Sequence, residues 1–390
     1  MARRVLVVGA GALGASAALA LAEAGADVTV LERGPAPGLA GASARGAGVA
    51  SVLAWNALDI RLVRRTLQRF RALSATAADR GHPFRLHVTG SATLVDAARA
   101  SRLEELAVLQ KREGAEVRLL DPADAGTLPG LGALDLAGVA LVAFAPGDAW
   151  ASPPAYADLA LALARERGAT FTPNADVKGL ALDGSRVAGV RLGDGRLVEA
   201  DLTLVAGGAW TAGLLASAGA PLPLAPYRTQ AVVVDGVRNP TAIVHDTVQG
   251  CYFRPDAPGR ALVGDGTTTT PEHPDLYKSE ADDGFVSRSI ERLVRRVPSA
   301  RGAFALSSRA GLDTATPDRH PLVGPDPRFE GLHLLVGGNG FGFMRSAALG
   351  EASAATMLGR RAPVPVGAFA AARFEGLWKE PFEIREGFSL

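Results

Sequence analysis

The stretch Val7-Val8-Gly9-Ala10-Gly11-Ala12-Leu13-Gly14 limits what this chain can fold into more than any other. Its glycines have the spacing G-x-G-x-x-G. A short β-branched run at 4–8 precedes them, and an Ala/Leu-rich stretch at 12–24 follows and stops at Gly25. A second apolar run, 27–32, ends on Glu32, eighteen residues beyond Gly14. The glycine spacing alone is a weak signal. Strand, glycine turn, helix and strand with a terminal acid form the full dinucleotide-binding context. Gly9 permits a tight turn, Gly11 lets backbone approach a pyrophosphate, and Gly14 lets the helix pack close to the strand. The helix N-terminus offers free N–H groups and a positive dipole end to phosphates. A carboxylate at 32 accepts hydrogen bonds from a ribose diol and opposes a 2′-phosphate. The bland alternative is a glycine-rich turn with no ligand.

Other readings of the same region fall away. Residues 5–22 are 18 uncharged residues behind Arg3-Arg4, the length of a signal peptide or a short spanning helix. Three interior glycines weaken such a helix, and the strand at 27–32 follows at once, so no transmembrane segment is expected. The 390 residues include 41 Lys+Arg and 40 Asp+Glu, a net charge of +1, which argues against nucleic acid and acidic membrane as partners. A single Cys excludes an internal disulfide, and a cytoplasmic location is the expectation. His82, His87, His245, His273 and His333 show no metal-ligand spacing, and His320, in Asp318-Arg-His-Pro, reads as a structural loop residue.

Along the chain, residues 34–51 read as a small-residue loop running into a helix, and 54–80 as an Arg-rich amphipathic helix. Strand-like alternation at 86–96 and a helix near 98–113 follow. A helix at 153–167 leads into short strands at 169–172, 177–182, 186–192, 197–199 and 202–206, with hairpin turns at Gly184 and Asp194-Gly195. Residues 224–266 have strand character, 280–297 are helical, 311–328 read as a loop, 332–336 as a strand and 343–358 as a helix. The tail 363–390 is uninformative. This alternation predicts two interleaved domains: a nucleotide domain from 1–83, 146–222 and 318–362, and a sheet-rich domain from 84–145 and 223–317.

The fingerprint does not separate FAD from NAD. Two distant segments favour FAD. The strand ending Val205-Ala-Gly207-Gly208-Ala-Trp210 brings backbone toward the same nucleotide. The turn Gly337-Gly338-Asn339-Gly340-Phe341-Gly342 opens a helix whose N-terminus can stabilise negative charge, as on a reduced flavin. Together with the serine-arginine loop GASARGAGV and the segment GLDTATPDRHPLVGP, these motifs resemble, in order and spacing, the FAD-dependent D-amino-acid oxidase family, which includes sarcosine and glycine oxidases. The resemblance covers residues 4 to about 360. It implies an α/β (α+β) fold: a Rossmann-like FAD-binding domain interleaved with a mixed-sheet substrate domain that roofs the flavin. It also implies oxidation of a C–N bond by hydride transfer to flavin N5.

Carried over by position, the resemblance places Gly9, Gly11, Ala12, Leu13 and Gly14 at the pyrophosphate, Glu32 at the ribose and Arg33 beside the adenosine. Ser43, Arg45, Gly46 and Gly48 pass the phosphates and ring, and Val177 meets the adenine. Gly207, Gly208 and Trp210 line the cofactor channel. Gly338, Asn339, Gly340, Phe341, Gly342, Phe343 and Met344 approach the pyrimidine end of the flavin. Departures from the family shape the functional expectation. Gly311 stands where sarcosine oxidases carry a covalent-flavin Cys, so noncovalent FAD is expected. Met344 and Asp313 stand where relatives carry a Lys and an Arg that bind substrate carboxylate. Leu262 occupies the place of an oxygen-activating Lys, which favours a dehydrogenase over an oxidase.

Four residues remain for the substrate. Tyr252 and Arg254 alternate on one face of a strand, and an Arg fork can hold a carboxylate bidentately. Arg345 sits in the first turn of the last helix, where a cation opposes the dipole. Asp313 can attract a substrate ammonium or pair with Arg309. The expectation is an FAD-dependent oxidoreductase acting on a small-molecule amine or amino acid, with a quinone, a protein or oxygen as electron acceptor. A flavin-dependent 2-hydroxy acid dehydrogenase, a flavin-binding electron-transfer subunit and an NAD-dependent dehydrogenase are the alternatives.

Overall fold

The strand Arg4–Val8 lies inside a six-stranded sheet, between Asp27–Leu31 on one side and Leu202–Val205 on the other. Thr170–Thr172 continues the sheet beyond Asp27–Leu31, and Leu332–Val336 and then Leu322–Pro325 continue it past Leu202–Val205. Every pair is parallel except the last. Such strands are covered on both faces, which is why they read as continuous apolar runs rather than alternating ones. The computed structural model describes residues 2–238, 242–266, 268–271, 273–378, 382 and 384.

Helix Ala12–Glu23 packs on this sheet against helices Gly342–Met357 and Pro153–Arg165. It is apolar on nearly every side because it is buried on nearly every side, with only the terminal Glu23 exposed. Alanines and one glycine allow the close approach: a Cβ on Gly350 would lie 2.5 Å from Cβ of Ser16. The apolar run 5–22 is thus a strand, a glycine turn and a 12-residue buried helix. Among the described residues no helix is long and apolar enough to cross a membrane.

A second, nine-stranded mixed sheet gathers strands from 91–145 and 225–315. Helix Asp283–Arg296 covers one of its faces, burying Phe285 and Leu293 against Val232, Val244, Phe253 and Val263. Arg296 and Asp246, both almost inaccessible, form an ion pair of 2.6 Å that ties the helix end to the strand Ile243–Asp246. The register places Thr93 beside His245, His245 beside Tyr252, and Tyr252 beside Gly264, so these four positions share the opposite face.

Two expectations change. The loop expected from 311 begins later, because the strand Phe304–Ala315 runs through Gly311 and Asp313. Its pairing along the whole of Ala225–Asp235 overrides turn-forming local composition. The tail is informative up to residue 374: Val364, Val366, Phe369, Ala371 and Phe374 are buried on the core. Residues 379–381, 383 and 385–390 of the tail, and 239–241 within the expected strand region 224–266, lie outside the described residues.

Candidate functional site

A cavity of about 940 Å³ lies between the two sheets. Its first wall is built from glycine-rich segments. Gly9 adopts φ +102°, and a Cβ there would sit 2.6 Å from the Ala206 carbonyl oxygen. Gly11 faces the Ser43 hydroxyl, which accepts from the Ala12 N–H at 2.9 Å. Glu32 is buried and aims both oxygens at the turn: Ala10 N–H donates to Oε2 at 2.7 Å and Gly34 N–H to Oε1 at 2.8 Å. A carboxylate accepts about four hydrogen bonds, so each oxygen keeps capacity for a ligand. Glu32→Ala is therefore expected to weaken FAD binding by at least about tenfold and to lower the melting temperature, since two charge-assisted bonds of about 1.5–3 kcal/mol disappear. FAD titration into apo-protein reads the first effect, and an unchanged affinity would remove Glu32 from the ribose.

The short helix Gly41–Arg45 brings Ser43 and Arg45 to the wall, and Gly46 and Gly48 follow it. Val177, Gly207, Gly208 and Trp210 also line the cavity. The Arg33 guanidinium lies 4.5 Å from the Trp210 ring, and both donate to Asp275, at 3.1 and 2.7 Å. At the far end Gly338, Asn339, Gly340, Phe341, Gly342, Phe343 and Met344 all reach the wall. Helices Ala12–Glu23 and Gly342–Met357 both begin there, and neither has a side-chain cap at its N-cap residue or an acid in its first turn. Two positive helix ends thus face one cavity, a setting for an elongated ligand carrying negative charge at two places. Of the residues expected at the cofactor, Gly14 alone is off the wall: its Cα lies over the Gly9 carbonyl and serves helix packing.

The second wall is the open face of the nine-stranded sheet: Thr93, His245, Tyr252, Tyr227 and Asp313, with Trp55 and Phe341 at its edge. The Trp55 and Phe341 rings meet edge-on at 4.7 Å. Burial pushes His245 down to about 4, so its imidazole faces the cavity uncharged near neutral pH. Burial raises Asp313, opposed by the Thr314 and Gly340 N–H groups, which both donate to it at 2.7 Å. Tyr227 also bonds to Asp313 and is raised well above its ordinary value, chiefly by burial.

Two of the four substrate candidates are elsewhere. Arg254 does not line the cavity. Its guanidinium is buried over the Trp150 ring at 4.1 Å and donates to the Ala47 and Pro255 carbonyls and to Asp256. Arg345 is absent from the wall as well; it pairs with Asp59 at 2.8 Å and donates to the Gly338 carbonyl at 2.7 Å, so the dipole's cost is met by a buried carboxylate. Tyr252 and Asp313 do reach the wall; Asp313 is held by the Thr314 and Gly340 N–H groups and by Tyr227, while Arg309 Nε donates to the Arg45 carbonyl. Leu262 is buried and off the wall. His320 stacks on Phe369, the structural role expected of it.

The sequence profile of FAD dependent oxidoreductases (DAO) matches residues 4–356. The chain belongs to this family. An FAD-dependent oxidoreductase accounts for a dinucleotide cavity with a second helix end at its far side, and FAD rather than a nicotinamide is the family's cofactor. Glycine oxidase of Pseudomonas aeruginosa is 29% identical over 344 residues, covering 86% of this chain and 90% of that protein. Iminodiacetate oxidase from Chelativorans sp. BNC1 shares 26% identity at a TM-score of 0.79, covering 94% of this chain and 99% of its own. L-Proline dehydrogenase from P. horikoshii has the same fold, with a TM-score of 0.87 at 24% identity over 96% of this chain and 98% of its own.

Sequence reasoning missed Trp55, Tyr227, His245 and Asp275, all on the wall. Trp55 stands just before Asn56, which caps the helix Ala57–Asp79, so its place at a helix entrance was within reach. His245 and Tyr227 needed strand registers between segments far apart in sequence.

Proposed function

We propose that this oxidoreductase oxidises the C–N bond of an amine or amino acid to an imine, with noncovalently held FAD, and acts as a dehydrogenase more than as an oxidase. The observation carrying the reading is a cavity with glycine backbone and two helix ends on one wall and a polar sheet face, Thr93, His245 and Tyr252, on the other. Relatives named for glycine, L-proline and iminodiacetate all take substrates with a C–N bond beside a carboxylate. The same reading assigns 1–83, 146–222 and 318–362 to a cofactor domain and 84–145 and 223–317 to a substrate domain, in line with the strand membership of the two large sheets.

In this assignment Gly9, Gly11, Ala12 and Leu13 hold the pyrophosphate, with Ser43 fixing the turn. Glu32 and Arg33 take the adenosine ribose side, and Val177 takes the adenine edge. Arg45, Gly46, Gly48, Gly207, Gly208 and Trp210 border the middle of the cofactor. Gly338 to Met344 receive the pyrimidine end at the second helix N-terminus. When bound, FAD supplies a two-electron acceptor for hydride. The protein orients the substrate C–H and shields it from water. Uncharged His245 accepts a hydrogen bond from the substrate amine, and the Tyr252 hydroxyl fixes a second polar group. The carboxylate of an amino-acid substrate falls to Arg45, which packs on Gly311, or Arg319, whose charge acts on Tyr227, rather than to Arg254. Noncovalent attachment is supported at Gly311, where a Cβ would already lie 2.5 Å from Cβ of Arg45. A Cys side chain has no room there. The dehydrogenase assignment rests on sequence position: Leu262 stands where related oxidases carry a Lys, and here it is buried off the cavity wall.

The test is anaerobic mixing of the holoenzyme with glycine, sarcosine, L-proline, D-alanine and lactate. An amine is expected to bleach the flavin band while lactate does not; bleaching by lactate alone would overturn the C–N assignment. Acid precipitation should leave the yellow colour in the supernatant. The reduced protein should reoxidise faster with a quinone dye than in air, and peroxide formation matching dye turnover would make it an oxidase.

A further inference from the structure

Gly264 ends the strand Arg260–Gly264, directly across from Tyr252 on Cys251–Ala257. It is not among the positive-φ glycines, so backbone conformation does not demand a glycine there. Space does. A Cβ built on Gly264 would lie 2.5 Å from Cε1, Cζ and Oη of Tyr252, and those are its three nearest atoms. The phenol end of Tyr252 therefore covers Gly264 and occupies the volume a side chain would need. On the other side of Tyr252 stands His245, with ring centroids 6.2 Å apart. The neighbouring strands thus bracket the ring, and the direction left open is the cavity that Tyr252 and His245 both line.

We propose that Gly264 is a specificity-determining position that acts through Tyr252. By leaving its own place empty, it lets the phenol lie down on the sheet and sets the depth of the substrate site. The inference rests on the reading of this sheet face as the substrate wall. Any side chain at 264 lifts the ring into the cavity, because the obstructing atoms are the movable end of a side chain and not backbone. Depth is lost where the substrate sits, so larger substrates suffer more than small ones. The cofactor wall, built from other segments, is not touched.

The experiment compares Gly264→Ala, Tyr252→Ala and the double variant, each as holoenzyme. For the amine of the panel that bleaches the wild type most readily, Gly264→Ala is expected to raise the apparent Kd about tenfold or more, while in the Tyr252→Ala background the same change shifts Kd by less than about twofold. FAD stoichiometry stays at the wild-type value, and L-proline loses more than glycine. Melting temperatures add a readout that needs no substrate: the drop caused by Gly264→Ala disappears when Tyr252 is Ala. If Gly264→Ala does not fold but the double variant does, the ring is the cause and the proposal stands. Equal effects in both backgrounds, an unchanged Kd in the single variant, or two variants that both fail to fold would overturn it. Failure of the wild type to bind FAD or to be bleached by any amine strikes the functional reading instead, and the melting-temperature cycle still decides whether Gly264 acts through Tyr252.

Discussion

Gly14→Ala is expected to yield a protein that purifies without flavin, or with a small fraction of it, and melts well below the wild type. The added methyl would sit 1.9 Å from the Gly9 carbonyl oxygen, 2.9 Å from the Gly9 carbonyl carbon and 3.4 Å from Cβ of Ala206. Two of those three atoms are backbone, so no rotamer change relieves the overlap. Helix Ala12–Glu23 must move off the strand Arg4–Val8, and overpacking of this kind costs about 1–3 kcal/mol or more. The displacement also carries away the Ala12 N–H that Ser43 accepts and shifts Gly9, which is held at positive φ against Ala206. Stability and FAD affinity should therefore fall together. This is the opposite of the ordinary helix-interior substitution of glycine by alanine, which gains about 0.5–1 kcal/mol. Thermal melting and flavin absorbance per protein measure it. A stable, fully yellow Gly14→Ala protein would show that the helix does not approach the strand as closely as described.

How much of this was legible in the sequence depended on how local each cause is. The fingerprint Gly9 to Gly14 and Glu32 could be read because strand, turn, helix and acid lie within a single βαβ unit, and each glycine has a steric reason that shows in spacing. Elements with one strong period, such as Ala57–Asp79 and Pro153–Arg165, were likewise readable, to within a few residues at their ends. The strand through Gly311 and Asp313 was not. Its stability comes from eleven paired residues of Ala225–Asp235, some eighty positions away, and nothing in GLDTA reports that partner. The sheet face proposed for the substrate was hidden for the same reason. Alternation correctly put Tyr252 and Arg254 on one face of a strand, but a shared face is not a shared cavity. The loop around Ala47 and the Trp150 ring close over Arg254, and the cavity begins only two residues along the same strand, at Tyr252. The sheet row Thr93–His245–Tyr252–Gly264 exists only once four separate strands are in register.

Arg345→Met is expected to have the second-largest effect, on folding rather than on substrate affinity. Arg345 is almost fully buried, as is Asp59, and their pair at 2.8 Å joins helix Gly342–Met357 to helix Ala57–Asp79. Methionine has similar length and leaves little void, so the loss is mainly electrostatic. The Asp59 carboxylate would keep its burial and the Asn56 amide that donates to it, but lose its cation. Removing one partner of a buried pair in this way costs about 3–5 kcal/mol. The Gly338 carbonyl, which accepts from Nη2, and the Phe341 carbonyl, which accepts from Nε at 3.2 Å, would be released as well. Both lie in the glycine turn at the cavity's far end, so the turn should loosen and FAD should bind more weakly in the surviving folded fraction. Denaturant unfolding of wild type, Arg345→Met, Asp59→Leu and the double variant separates the contributions. The double variant should recover much of the lost stability, because an apolar pair is often neutral in place of a buried ion pair. It should not recover FAD affinity, since the Gly338 carbonyl still lacks its donor. If Arg345→Met unfolds like the wild type yet binds substrate poorly, the guanidinium belongs to the substrate site after all, as its position in the helix's first turn first suggested.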